Sequence, residues 1–234
     1  MTALRSAWCL AVIAALLAVA APAGAANECD GLQVCVPVAG PWVVVPASTS
    51  TPRPHVEYQL TCPRGHVVGG LDARLSVRGI DVSFFGRLGS PVNPGITTTR
   101  WAVFTGTYVG QSDRAPTFRP FIGCMPGSGG GSRVPTSVGA FRPAQSVTRR
   151  VRTVRVRPGT TTVVQRCTPG ERLVGASHAF AFATRTPPGA SLVSSVSASQ
   201  QASGESVVVR VRGDGELAGV RAFVQVHALC SVSR

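Results

Sequence analysis

The residues with the clearest capacity for chemistry are five arginines packed into nine positions. They are Arg149, Arg150, Arg152, Arg155 and Arg157, in the stretch R-R-V-R-T-V-R-V-R. A guanidinium group carries a permanent charge and a planar set of donors that matches phosphate and carboxylate oxygens. Three later arginines could extend the same surface: Arg210, Arg212 and Arg221. The pattern predicts contact with a polyanion, such as nucleic acid, lipopolysaccharide phosphate or another component of the cell envelope.

A basic strand also has a purely structural explanation, because charged side chains on an edge strand block edge-to-edge aggregation. The chain has 23 arginines, no lysine and 10 acidic residues, for a net charge of +13. The absence of lysine indicates a compositional bias toward arginine, but that bias does not account for the excess of basic over acidic residues. Aromatic residues are sparse near the arginine stretch, so the stacking of single-stranded bases is not supported.

The histidines and carboxylates show no catalytic or metal-binding spacing. The four histidines are His55, His66, His178 and His227, and none lies in H-E-x-x-H. Ser177 and His178 are adjacent, and neighbouring strand residues point to opposite faces, so they cannot act as nucleophile and base. Asp214 and Glu216 offer calcium fewer oxygens than it requires. We therefore expect no catalytic residue, no metal and no cofactor.

The beginning of the chain is typical of a secretory signal peptide. Arg5 precedes a 15-residue apolar run from Ala7 to Ala21, and the small residues Ala23-Gly24-Ala25 follow. A membrane-spanning helix needs roughly 20 apolar residues. We expect removal of residues 1–25 and export of the rest to the periplasm or the medium, and no later apolar stretch is long enough to span a membrane.

Six cysteines then remain, and an even number in an exported chain predicts disulfide bonds. They are Cys29, Cys35, Cys62, Cys124, Cys167 and Cys230. Six cysteines allow 15 pairings, which spacing alone does not normally resolve. A zinc site is the alternative, but the closely spaced first pair has no histidine nearby and the other cysteines are far apart.

Two of these cysteines open similar elements, which reduces the number of pairings to consider. C-P-R-G-H-V-V-G-G begins at Cys62 and C-T-P-G-E-R-L-V-G-A begins at Cys167. Each is followed by another cysteine, Cys124 after 62 residues and Cys230 after 63 residues. We interpret this as an internal duplication with pairs Cys62–Cys124 and Cys167–Cys230, which leaves Cys29–Cys35. Closing a loop of this length contributes roughly 4 kcal/mol in the chain-entropy model.

The region after the signal peptide is predicted to be all-β. Glycine, proline, valine, serine and threonine dominate, and apolar residues alternate, as in Val56, Tyr58 and Leu60. The pair Gly69-Gly70 predicts a bulge or a close backbone approach. Residues 191–199 read as a strand, and Asp214-Gly215 between two alternating runs predicts a hairpin.

Two tandem units of about six strands each, as a β-sandwich or small barrel, fit this pattern, with one internal disulfide per unit. The predicted segments are a signal peptide at 1–25, a disulfide-clipped segment at 26–40, a first repeat at 41–125, a Gly/Ser/Pro linker at 126–144 and a second repeat at 145–234. The units could be separate domains or halves of one barrel.

The duplicated elements resemble secreted bacterial proteins of uncharacterised function, in which a Cys-x-x-Gly strand opens a β-rich repeat and a strand ending in cysteine closes it. The matching residues are Cys62, Gly65, Gly69, Gly70 and Cys124, then Cys167, Gly170, Gly175 and Cys230. Ala176 departs from the pattern. The resemblance implies export, disulfides and β structure, and it supplies no catalytic residue.

Three functions remain open from the sequence. The first is a non-enzymatic, secreted or periplasmic binding module associated with the envelope, which contacts an anionic polymer through the Arg-rich strand. The second is a secreted hydrolase that acts on glycans from a β scaffold. The third is a structural or inhibitory module that binds another protein.

Overall fold

A computed structural model describes residues 28–32, 34–48, 50–85, 99–111, 115–127 and 147–232. The predicted signal peptide and most of the predicted linker lie outside these residues. We refer to residues 28–127 as the first half and to residues 147–232 as the second half. No helix in the described part of the chain is long and apolar enough to cross a membrane.

The prediction of an all-β fold is confirmed, since the described residues form thirteen strands. In the first half these are β1 Val36–Ala39, β2 Trp42–Val44, β3 His55–Thr61, β4 His66–Leu75, β5 Ile80–Phe85, β6 Trp101–Tyr108 and β7 Thr117–Pro126. In the second half they are β8 Val147–Val156, β9 Gly159–Arg166, β10 Glu171–Phe182, β11 Val196–Ser203, β12 Ser206–Gly213 and β13 Ala222–Val232. The short helix α1 covers Ala190–Ser194, and a 3-10 turn covers Gly215–Leu217.

The strands form three antiparallel sheets. Six strands of a seven-stranded sheet have the order β1-β7-β2-β10-β13-β8. The seventh strand, β4, also pairs with β7 but lies outside this order. Strands β3-β6-β5 form a small sheet in the first half, and β11-β12-β9 form its counterpart in the second half. Each half therefore packs a three-stranded sheet against its own part of the large sheet.

The large sheet passes through both halves by way of β2. Val43 pairs with Phe118 of β7 and with Ala181 of β10. Val43 and Ala181 belong to the hydrophobic core of the first half, whereas Val44 and Phe182 belong to that of the second. Because successive strand residues point to opposite faces, the two cores lie on opposite faces of one continuous sheet.

All three predicted disulfides are present. Cys62–Cys124 and Cys167–Cys230 have Cα–Cα distances of 5.7 and 5.6 Å, and Cys29–Cys35 closes the N-terminal segment. The two long-range bonds are buried, and each joins the end of the first strand of a small sheet to the last strand of the large sheet in the same half. Each core is therefore crosslinked at the same place.

Two local predictions are wrong. Strands β12 and β13 do not form a hairpin, because β12 lies in a small sheet and β13 in the large one. The Asp214 side chain accepts the Glu216 N–H at 2.9 Å and caps a 3-10 turn that carries the chain between the sheets. Residues 191–199 begin as helix α1, which follows Pro188 and Gly189, and β11 starts only at Val196.

The glycine pair predicted at the start of β4 has both expected roles. The register of β4 against β7 shifts between Val68 and Gly70, which is a β-bulge. A Cβ atom on Gly70 or on its partner Gly123 would overlap the backbone of Glu28. These glycines thus admit the clipped N-terminal segment onto the outer surface of the large sheet.

Candidate anion site at the junction of the halves

The first arginine of the basic strand, Arg149, is an internal connector between the halves. Its guanidinium donates to both carboxylate oxygens of Glu57 on β3, at 2.7 and 3.1 Å, and the Ser177 hydroxyl donates to the same carboxylate at 3.1 Å. Burial raises the pKa of Glu57, but the hydrogen bonds and charge of Arg149 outweigh it, with smaller help from His227 and Ser177, and leave this pKa below its ordinary value.

His227 extends this connection into the interior. Its Nδ1 accepts a hydrogen bond from Arg149 Nη1 at 2.8 Å, and its Nε2–H donates to Gln225 Oε1 at 2.8 Å. The arginine donor fixes the neutral tautomer, because a protonated ring has no free acceptor. Burial, and then the charge of Arg149, lowers the pKa of His227 to about 4, against the opposing charge of Glu57. The ring therefore stays uncharged near neutral pH.

The Gln225 side chain forms hydrogen bonds with the edge of β3 that a neighbouring strand would otherwise form. Its Oε1 accepts the backbone N–H of Gln59 at 2.6 Å, and its Nε2 donates to the Gln59 carbonyl at 3.2 Å. The same Nε2 donates to the Thr153 hydroxyl at 3.0 Å. A side-chain amide can satisfy both groups of one edge residue, which leaves no template for a foreign strand there.

Two more arginines of the predicted polyanion surface also have internal partners. Arg150 pairs with Glu171 at 3.0 Å and donates to the Thr168 hydroxyl. Hydrogen bonds from Thr168, and then from Arg150, lower the pKa of Glu171. Arg152 Nη1 donates to the Val164 carbonyl on β9 at 3.2 Å. These side chains have a structural role that the spacing of the arginines did not reveal.

The remaining predicted arginines are exposed, but they lie in two different places. Arg155 and Arg157 line a cavity of about 280 Å³ beside residues 217–220. Arg210 and Arg212 lie on the outer face of the small sheet of the second half, beyond its core. The predicted residues therefore do not form one continuous patch.

A different group of arginines meets where the halves join. Arg119 of β7, Arg185 after β10 and Arg221 before β13 line a cavity of about 420 Å³. Other lining residues are Pro41, Tyr58, Thr153, Thr184 and Phe223. Among the residues that the structure describes, no carboxylate belongs to the lining and none forms an ion pair with the three arginines. The cavity thus combines three cations with two hydroxyl-bearing threonines and an apolar wall.

Arg119 is fixed within this cavity by contacts on its own side of the sheet. Its Nε donates to the Gly40 carbonyl at 2.8 Å, and its guanidinium carbon lies 5.5 Å from the centroid of the Phe121 ring. Burial raises the pKa of Tyr58 to about 12, so this phenol is a neutral lining group. Arg185 and Arg221 are exposed. One guanidinium is therefore oriented in advance, and two are free to adjust to a ligand.

Sequence reasoning found only one member of this cavity, Arg221. Arg119 and Arg185 are isolated in F-R-P and T-R-T, with no clustering to mark them. They become neighbours because β2 joins β7 to β10 within the large sheet. Only the pairing of strands from the two halves brings them together.

One cluster has the composition of a metal site but not its chemistry. The sulfurs of Cys167 and Cys230 and the carboxylate of Glu171 lie within 4.8 Å of one another. Both sulfurs are joined in a disulfide, so they offer no thiolate. Glu171 is instead the partner of Arg150.

Comparison of the chain with protein-family models, curated proteins and solved structures gives no match. The geometry and charge of the junction are therefore the evidence for the function of this protein.

Proposed function

We propose that the protein is a secreted or periplasmic binding module for an anionic polymer, and that the junction cavity is its principal site. The observation that carries this proposal is the meeting of Arg119, Arg185 and Arg221 around a cavity whose described lining residues include no carboxylate. Guanidinium groups of this kind match phosphate, sulfate and carboxylate oxygens. Three disulfides are compatible with an exported protein.

The surroundings of the cavity favour a polymer over a single small anion. Arg155 pairs in register with Phe223, which lines the cavity. Arg155 also lines the neighbouring cavity together with Arg157. The basic surface therefore continues beyond the three central arginines, and a chain with repeated negative charges could contact both cavities.

The glycan hydrolase alternative gains no support from either cavity. Hydrolysis of a glycosidic bond ordinarily needs two carboxyl groups on opposite sides of the bond. Neither cavity has an Asp or Glu among the described residues of its lining. We therefore keep binding, rather than hydrolysis, as the proposed activity.

The test is salt elution from heparin-agarose, a sulfated polymer on a solid support. The variant Arg185→Ser/Arg221→Ser removes two exposed cavity cations, and Arg119 is left in place because it also bonds Gly40. The matched control Arg64→Ser/Arg78→Ser removes two exposed cations from the first half, neither of which lines the cavity.

We expect the control to elute close to the wild type and the cavity variant to elute at clearly lower salt, because fewer counterions are released on binding. Equal elution of the two double variants would contradict the proposal, since it would show that only net charge matters. Circular dichroism of each variant establishes that the fold is retained.

A further inference from the structure

The outer face of the small sheet in the second half is a second, regular basic surface. Its side chains lie in four cross-strand rows: Thr160-Arg212-Ser197, Thr162-Arg210-Ser199, Val164-Val208-Gln201 and Arg166-Ser206-Ser203. We call these twelve residues the β9-β12-β11 face. Ten of them carry a hydroxyl, an amide or a guanidinium group, the other two are Val164 and Val208 of the third row, and none is acidic or aromatic.

The core beneath fixes which side chains of this sheet face outward, and these are regularly spaced. Val207, Val209 and Val211 of the central strand are fully buried, so the alternate side chains must point outward. Outward residues then recur about every 7 Å along a strand and about 4.8 Å between strands. Arg210 and Arg212 are neighbours on the central strand and are both exposed. This arrangement suits a linear partner with repeated charges.

The arginines of this face form no ion pair with a described acidic residue. Within the described residues, the two ion pairs are Arg149–Glu57 and Arg150–Glu171, and neither involves the face. The absence of aromatic rings disfavours stacking on the apolar faces of neutral sugars. Arginines flanked by serine and threonine hydroxyls instead favour sulfate or carboxylate groups.

The face and the junction cavity point in opposite directions. Thr153 and Phe223 line the cavity, whereas their chain neighbours Val154 and Val224 pack in the core of the second half. Successive strand residues point to opposite sides, so the cavity lies on the side of the large sheet away from that core. The β9-β12-β11 face covers the far side of the same core.

We propose that the β9-β12-β11 face binds an extended acidic polysaccharide, so that one molecule bridges two polymer chains. The bridging rests on the proposed function for its first contact, at the junction cavity. The second contact depends on Arg210 and Arg212, whose loss leaves the cavity intact.

The test mixes the full chain with dextran sulfate and measures light scattering across a range of protein-to-polymer ratios, with direct binding followed by calorimetry. Wild type and the control Arg64→Ser/Arg78→Ser are expected to give a scattering maximum at an intermediate ratio, because excess of either component leaves no bridges. Arg210→Ser/Arg212→Ser is expected to keep binding but to lose that maximum. Neutral dextran is expected to give no scattering.

The outcomes separate the two proposals. A scattering maximum in Arg210→Ser/Arg212→Ser equal to that of the control would overturn the second surface and leave the cavity proposal standing. Unchanged binding and scattering in Arg185→Ser/Arg221→Ser would instead overturn the cavity proposal, and bridging with it. Loss of the maximum in both double variants, with binding retained by each, is the result that supports bridging.

Discussion

The two halves share a frame but complete their edge strands differently. Gln59 lies three residues before Cys62, and Val164 lies three residues before Cys167. The carbonyl of Gln59 receives its hydrogen bond from Gln225 of the other half, whereas that of Val164 receives one from Arg152 of its own half. The first half thus depends on the second for its edge, but the second half caps itself.

The β-bulges next to the two long-range disulfides also differ between the halves. Gly70 pairs with Gly123 in the first half, and Gly175 pairs with Leu229 at the corresponding place in the second. The glycine pair makes room for the backbone of Glu28, whereas the Leu229 side chain occupies the space above Gly175. One framework therefore accepts either an added segment or a larger side chain.

This difference shows that the contacts at the junction require residues from both halves. The polar groups that bind the halves together are Glu57, Arg149, Gln225 and His227. The anion cavity draws its arginines from strands on either side of the same junction. Changes to these contacts should therefore affect the halves unequally.

The largest effect is expected from Arg149→Met, which leaves the Glu57 carboxylate without its buried partner. Removal of one member of a buried pair costs about 3–5 kcal/mol. The free energy of unfolding, measured with urea, should fall by this order. The double variant Glu57→Gln/Arg149→Met should recover part of the loss, and equal destabilisation of the single and double variants would show that the unpaired Glu57 charge is not its source.

A pH effect should follow from His227, whose counterpart three residues before Cys124 is the non-titrating Phe121. The folded pKa of His227 is lowered from 6.5 to about 4, so the unfolded chain takes up a proton first as the pH falls. Stability should decrease between pH 6.5 and 4 by up to about 3 kcal/mol. The lowered pKa of Glu57 adds a further loss as the pH falls below its ordinary value of 4.5.

The measurement for this pH effect is urea unfolding at intervals from pH 7.5 to 4 in wild type and in His227→Gln. We expect the variant to be less stable at neutral pH but to show a smaller slope in that range. An unchanged slope would show that His227 does not titrate between the folded and unfolded states.

The smallest effects should distinguish the two bulges. Gly70→Ala places a methyl group against the Glu28 backbone, and overpacking of this kind costs about 1–3 kcal/mol. Gly175→Ala meets only the end of the Leu229 side chain, at 3.1 Å, which can move. Of the two variants, we expect only Gly70→Ala to lower the free energy of unfolding clearly and to speed the reduction of Cys29–Cys35 by dithiothreitol. Equal effects of the two substitutions would contradict the inequality of the halves.

The sequence was sufficient for the parts of the fold that follow from local alternation and from the spacing of the cysteines. Alternation at Val56, Tyr58 and Leu60 indicated a half-buried strand, and the repeated cysteine spacing indicated the correct disulfides. The hairpin at Asp214 was wrong because a turn signal specifies a change of direction, not the sheet to which the next strand belongs.

The candidate site was harder to predict because it is assembled by long-range pairing. Clustering drew attention to Arg149, Arg150 and Arg152, which the folded chain uses for internal contacts. Arg119 and Arg185 are far apart in sequence and isolated among neutral residues. Their meeting depends on the pairing of β2 with β10, which involves two residue pairs and leaves little trace in the sequence.

The central claim is that anions bind where the halves join, and mapping by NMR tests it most directly. Isotope-labelled full-length protein would be titrated with a sulfated disaccharide, which is too short to span distant sites. We predict that the largest saturable shifts occur at the backbone amides and guanidinium groups of Arg119, Arg185 and Arg221. Shifts confined to other arginines, or spread evenly over all exposed arginines, would contradict the claim.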